Sequence, residues 1–292
     1  MREDACYTVA KLLDTYEHEY LHLKAPSTAY KQRLLYGHYR REFGTLLLTE
    51  VTPAWLRAWR DRLGAKHKPG TVRVYMDALS AALTYAVNDL EWLHDHPMRK
   101  VRKLPDPASH VRFLSPEERQ RLLRACRRSD DPRLYPVVLL ALHTGARKDE
   151  LLHLRRRDIN LTQQVVYFVK TKTHVARAVP LTGQALDYLS TPLFRIMPPA
   201  DWLFPGPEAG RPTRIDYAWD KARTAAGLED FRFHDLRHTA ASYLLMSGAS
   251  LVELADILGH RTMAMVKRYA HFTQDHTRGI LARMSKQFLP PV

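Results

Sequence analysis

The 292-residue chain is 45% apolar, enough for packed cores, and it is longer than a usual single domain, so two domains are expected. Its 45 Lys and Arg against 31 Asp and Glu leave a net charge of +14, which points to a polyanionic partner. Two cysteines, Cys6 and Cys126, are too few for a disulfide framework, no stretch approaches about 18 uninterrupted apolar residues, and the acidic start "MREDACYTVAKLLDTYEHEY" is unlike a secretory signal, so a cytoplasmic protein with no membrane role is expected.

Helices are predicted through the first hundred residues. Apolar residues recur at helical spacing from Val9 to Leu23. Pro26 and Ser27 precede "TAYKQRLLYGHYRREFG", Thr52 and Pro53 cap "AWLRAWRDRLG", and Gly70 and Thr71 open the long segment "VRVYMDALSAALTYAVNDLEWL". The next stretch, "HPMRKVRKLPDPASH", places Arg99, Lys100, Arg102 and Lys103 before Pro105 and Pro107, the composition of an extended basic linker. The expected division is a helical domain over 1–98, a linker over 99–110 and a second domain over 111–292.

Ser115, Pro116 and Glu118 make a capping box that opens the second block, and the apolar helix "PRLYPVVLLALHTG" follows. The period then changes. "QVVYFVKTKTHVARAVPL" is β-branched and aromatic and predicts a hairpin from about Val165 to Val179. Helices return with "GQALDYLS", "RIDYAWDKARTAAG", "HDLRHTAASYLLMSG", "SLVELADILGH", "TMAMVKRYAHF" and "DHTRGILARMSKQFL", whose Ile280, Leu281, Met284 and Phe288 share one face. The fold class is therefore mainly α with a small β-sheet or hairpin.

"FHDLRHTAASYLL" puts His234, Arg237 and His238 on one helical face. The spacing of the two histidines matches the zinc-protease helix, but that motif needs a glutamate directly after the first histidine and Asp235 stands there. A permanent cation one turn away would also repel a metal ion. No metal and no cofactor are expected; an anion is.

Taken with "HTGARKDELLHL", "KTKTHVARAVPL" and "LGHRTMAMVKRYAHF", this stretch resembles a tyrosine recombinase of the phage integrase family. The resemblance covers the whole second block in order, and extends more loosely to the N-terminal helices. It implies a two-domain DNA clamp: a helical, SAM-like core-binding domain plus a mixed α/β catalytic domain. It places the first catalytic arginine on Arg147, with Glu150 as the acidic residue that orients it, and the hairpin lysine on Lys172, eight residues before Pro180 and favoured by that register over Lys170. His234 and Arg237 match H-x-x-R, His260 matches the histidine of "LGH", and Tyr269, nine residues on, matches the nucleophile. His238 reads as a supporting or packing residue.

These residue types suit attack on a phosphodiester. Two guanidiniums can grip the non-bridging oxygens as charge builds on them, His260 adds a donor, and Lys172 can protonate the departing 5′ oxygen. His234 can assist proton transfer or hold the phosphate. The resemblance implies a site-specific recombinase that acts through a 3′-phosphotyrosyl intermediate on double-stranded DNA with specific recombination sites, for integration or excision of a phage or mobile element. It further implies a homotetramer on DNA, DNA-bending accessory proteins and a place at the nucleoid. A chromosome-dimer-resolving recombinase, a type IB topoisomerase-like enzyme and a DNA-binding protein without catalysis are the alternatives. Arg99, Lys100, Arg102, Lys103, Arg155 and Arg156 are candidate DNA contacts, although a charge run such as the last two belong to is usually only a solvated face.

Overall fold

The structure, a computed structural model, describes residues 7–105, 112–169, 176–198, 201–208 and 210–260, together with positions 262, 269, 281, 284 and 286. The chain divides into two compact units, Met1–Ser109 and His110–Val292.

The first unit holds α1 (Val9–Glu19), α2 (Pro26–Phe43), α3 (Pro53–Lys66) and α4 (Pro69–Asn88). The starts follow from local chemistry. The Thr8 and Thr52 hydroxyls accept the backbone N–H of Lys11 and Trp55, and prolines occupy the first helical turns of α2, α3 and α4. The predicted run from Val9 to Leu23 breaks after Glu19, with Leu21–Leu23 forming a 3-10 turn. Aromatic rings fill the core: Trp59 packs at right angles to Tyr39 and Phe43 and stacks on Trp55. The buried Tyr36 and Tyr39 hydroxyls donate to the carbonyls of Ala78 and Tyr75, so these phenols bring no unpaired polar group into the core.

The basic stretch corrects the expectation of an extended linker from residue 99. Pro97–Lys100 is a 3-10 turn, Met98 and Val101 are buried in the first core, and the Arg102 carbonyl accepts a 2.6 Å bond from Arg60 Nη1. Lys100 pairs with Asp95 and Lys103 with Asp77. Apolar residues three positions apart, Met98 and Val101, supply the burial that composition obscured.

In the second unit the Ser115–Glu118 capping box starts α5 (Pro116–Arg127). The apolar α6 (Leu134–Thr144) ends at Gly145 in the left-handed conformation, and the short α7 (Lys148–Leu152) follows at once. An antiparallel sheet comes next, in the order β1 (Ile159–Asn160), β2 (Val165–Phe168), β3 (Arg177–Pro180), with Val166 opposite Val179 and Phe168 opposite Arg177. The hairpin was expected; β1 was not, because two residues carry no readable period. Helices α8 (Gly183–Leu189), α9 (Pro192–Ile196), α10 (Asp216–Ala225), α11 (Asp235–Met246) and α12 (Leu251–Leu258) complete the described elements. The core runs from Leu122 and Val137 through Phe168 to Trp219, Phe231 and Leu236, and α11 is buried along most of its length. Among the described residues no helix is long and apolar enough to cross a membrane.

Trp59→Ala is expected to destabilise the first unit by about 3–5 kcal/mol, since the ring is fully buried among other aromatics. Denaturant unfolding monitored by circular dichroism reads this, and a loss below about 1 kcal/mol would contradict the packing described.

Candidate active site

The site grows out of two helix ends. α6 closes with Gly145 at φ 61°, whose N–H bonds the Ala141 carbonyl. A Cβ at this glycine would lie 2.3 Å from Leu258 Cδ2, so the turn needs a residue with neither side chain nor left-handed penalty. α12 closes the same way. Gly259 sits at φ 65° and donates to Asp256, while the His260 N–H reaches back to Ala255, a Schellman end that sends the chain away from the helix at His260.

These C-terminal ends attract cations, because their last carbonyls lack helical partners and carry the negative end of the helix dipole. Arg237, on the buried face of α11, donates from Nη1 to Gly145 O and from Nη2 to Leu258 O, both at 2.8 Å. Arg177 on β3 donates from Nε to Ile257 O at 2.9 Å and lies over the Phe168 ring at 4.4 Å. Burial, followed by the charges of Arg147 and Arg177, pushes the Arg237 pKa down to about 9, still above neutral pH, so it remains a cation there.

Glu150 joins the pieces. One oxygen accepts Arg147 Nη1 at 2.8 Å; the other accepts the Arg147 backbone N–H at 3.0 Å and Arg177 Nη2 at 2.7 Å. Its side chain is only 4% exposed. Burial opposes its ionisation, but the hydrogen bonds and charges of Arg177 and Arg147 win and hold its carboxyl below the usual range. Three guanidiniums thus face one carboxylate, an excess of two positive charges and a setting for an anion.

His234 stands immediately before α11 with its outer surface open to solvent. Partial burial of the ring, then the Arg237 and Arg147 charges, lower its pKa from the ordinary value against a smaller opposing effect of Asp235, so the imidazole is neutral at pH 7. Asp235 is buried and accepts the backbone N–H and the guanidinium of Arg232. Tyr269 is 1% exposed, packed with Ala241, Leu245, Leu254 and Leu258. Its hydroxyl lies 2.5 Å from His238 Nδ1.

Of the residues expected from sequence, Arg147, Glu150, His234, Arg237, His260 and Tyr269 thus belong to one region of the second unit, built around α11 and the ends of α6 and α12. Lys172 lies outside the described residues. Arg156 is corrected: its guanidinium donates to the carbonyls of Phe194 and Ile159 and stacks on the Phe194 ring, a packing role. Arg155 lies 3.9 Å above the Trp202 ring. Arg177 was not singled out from sequence, and His238 was read as a supporting or packing residue and not as a reactant. The period-2 alternation from the inward Val179 puts Arg177 on the buried face of β3, a signal that could have found it.

A sequence model of the phage integrase family matches residues 112–276, more than half of the chain. The chain belongs to the phage integrase family. Within it, the chain is 32% identical over 230 residues to the integrase of Salmonella phage P22, and 32% identical over 236 residues to a shufflon-specific DNA recombinase of Escherichia coli. These matches cover 72% and 77% of this chain, which in turn spans 57% and 59% of those relatives' lengths. The fold is that of the Tn1549 transposon integrase solved with transposon right end DNA (TM-score 0.78, 19% identity, 96% of this chain and 100% of that one). It is likewise similar to a lambda integrase dimer bound to a core site (TM-score 0.74, 20% identity, 91% and 78% covered).

Glu150→Gln is expected to lose about 3 kcal/mol or more of stability at pH 7, because it leaves buried guanidiniums without their counter-charge. The folded pKa of Glu150 is lowered, so the difference between wild type and variant is fully present above the ordinary glutamate pKa of about 4.3 and shrinks as pH falls through the folded value. Denaturant titrations at several pH values check both sign and window.

Proposed function

We propose that the chain is a site-specific DNA recombinase that cuts and rejoins strands through a 3′-phosphotyrosyl intermediate, in the integration or excision of a phage or mobile element. The observation that carries this reading is the gathering of Arg147 and Arg237 beside His234 and Tyr269 within one folded unit, with His260 following the helix end whose carbonyl holds Arg237. A scissile phosphate placed against the guanidiniums gains a second negative charge on its non-bridging oxygens in the transition state. Fixed cations bind that state more tightly than the ground state. Tyr269 attacks phosphorus, the 5′ oxygen leaves with a proton from Lys172, and the phosphotyrosyl ester conserves the energy needed for rejoining. His260 adds a donor to the phosphate, and His234, neutral at pH 7, holds it or relays a proton.

The substrate in this proposal is duplex DNA with a specific core site, gripped by both units. The exposed Arg99 and Arg102 contact its backbone, with Lys100 and Lys103 exchanging their surface carboxylates for phosphates. Four copies act on two sites, with DNA-bending proteins assisting, at the nucleoid. The names of the relatives, integrases and a shufflon recombinase, support exchange between paired sites over simple relaxation of supercoils.

The test is a nicked duplex carrying the short sequence shared by the two ends of the element that encodes the chain. Wild type is expected to form a covalent adduct; Tyr269→Phe is expected to form none while keeping its affinity for the duplex. Affinity is expected to fall steeply with salt as phosphate neutralisation releases counterions. Adduct from the Tyr269→Phe protein would remove the nucleophile, binding without adduct from either protein would leave a DNA-binding protein, and relaxation of supercoiled plasmid lacking the site would favour a topoisomerase.

A further inference from the structure

We propose that His238 is the general base that takes the phenolic proton from Tyr269, an inference that rests on the recombinase reading above. The Tyr269 hydroxyl and His238 Nδ1 are 2.5 Å apart, in a pocket where the two residues are 1% and 8% exposed. The walls around the phenol, Ala241, Leu245, Leu254 and Leu258, are aliphatic. A phenol with an ordinary pKa of about 10 is ionised only about once in a thousand molecules at pH 7, so the reaction needs an acceptor for its proton. His238 Nδ1 is that acceptor, with the ring proton on Nε2 so that the hydroxyl donates to the bare nitrogen.

The two histidines divide the work. His234 lies toward the arginines, where partial burial and then the charges of Arg237 and Arg147 depress its basicity, and its ring stands at 89° to that of His238 with centroids 5.3 Å apart. His238 faces the phenol. In the forward step the O–H bond of Tyr269 breaks, its proton passes to Nδ1, the phenolic oxygen bonds to phosphorus, and the bond from phosphorus to the 5′ oxygen breaks with protonation of that oxygen by a separate acid. The imidazolium left behind lies one residue from Arg237, where it adds positive charge beside the charge-accumulating phosphate. In rejoining, the 5′ hydroxyl gives its proton to the conjugate base of that separate acid as its oxygen bonds to phosphorus, the bond from phosphorus to the phenolic oxygen breaks, and the imidazolium returns its proton to that oxygen.

The experiment uses the full chain as wild type, His238→Ala and His238→Asn, with single-turnover cleavage of the nicked duplex described above. One version of the duplex has the ordinary 5′ bridging oxygen; another has sulfur at that position, a leaving group that needs no proton. Asparagine can place Oδ1 near the Nδ1 position and accept the hydroxyl bond, yet it cannot take the proton. Both variants are expected to slow adduct formation by about 10²–10⁴-fold, and equally on both duplexes. Imidazole in the buffer is expected to restore part of the rate of His238→Ala. Duplex affinity at the wild-type level verifies folding, and should His238→Ala lose it, His238→Asn carries the test. A wild-type rate in either variant would overturn the proposal, as would a defect that disappears on the sulfur duplex, which would place His238 on the leaving group. Absence of adduct from the wild type on both duplexes would instead sink the recombinase reading.

Discussion

Arg147, Arg177 and Arg237, gathered about one carboxylate, repel one another. Two unit charges 6 Å apart interact by about 3 kcal/mol at an effective dielectric of 20, a large fraction of a domain's stability. Glu150 is what makes the cluster tolerable. It is buried, ionised and shared between Arg147 and Arg177, and its backbone bond at the start of α7 fixes where Arg147 leaves the helix. A neutral residue there would leave Arg147 and Arg177 without the counter-charge they share.

The helix ends do the remaining work. Arg237 and Arg177 are tied to adjacent carbonyls, Leu258 and Ile257, at the C-terminus of α12, and Arg237 is also tied to Gly145 at the end of α6. Both glycines that end these helices adopt the left-handed conformation, and a Cβ on Gly145 would in addition strike Leu258, while one on Gly259 would only crowd the Arg177 side chain at 3.1 Å. The same α12 end turns the chain outward at His260 and helps wall the pocket of Tyr269. Arg177, Arg237 and the pocket of Tyr269 therefore share one scaffold, so a shift of α12 moves all of them.

Much of this was legible in the sequence because it is written in local spacing. Arg147 with Glu150, His234 with Arg237, and Gly259 with His260 are each within one turn of their partners, and caps such as Ser115 with Glu118 mark where helices begin. What escaped depends on contacts across the chain. Arg177 meets Glu150 over 27 positions and His238 meets Tyr269 over 31, and neither strand alternation nor helical phase names such a partner. Arg156 was misread for the complementary reason, since a run of arginines does not reveal which guanidinium turns inward to Phe194. The basic stretch after residue 98 was read as extended because its prolines and charges outweighed Met98 and Val101, whose burial pins it to the first unit.

In the proposed reaction the phenolic oxygen of Tyr269 forms the covalent bond to DNA at the arginine corner. Protease digestion of the trapped adduct, followed by mass spectrometry of the nucleotide-bearing peptide, tests that directly. The nucleotide is expected on the peptide containing Tyr269, through a 3′ phosphate. A nucleotide on any other residue, or attached through its 5′ end, would contradict it.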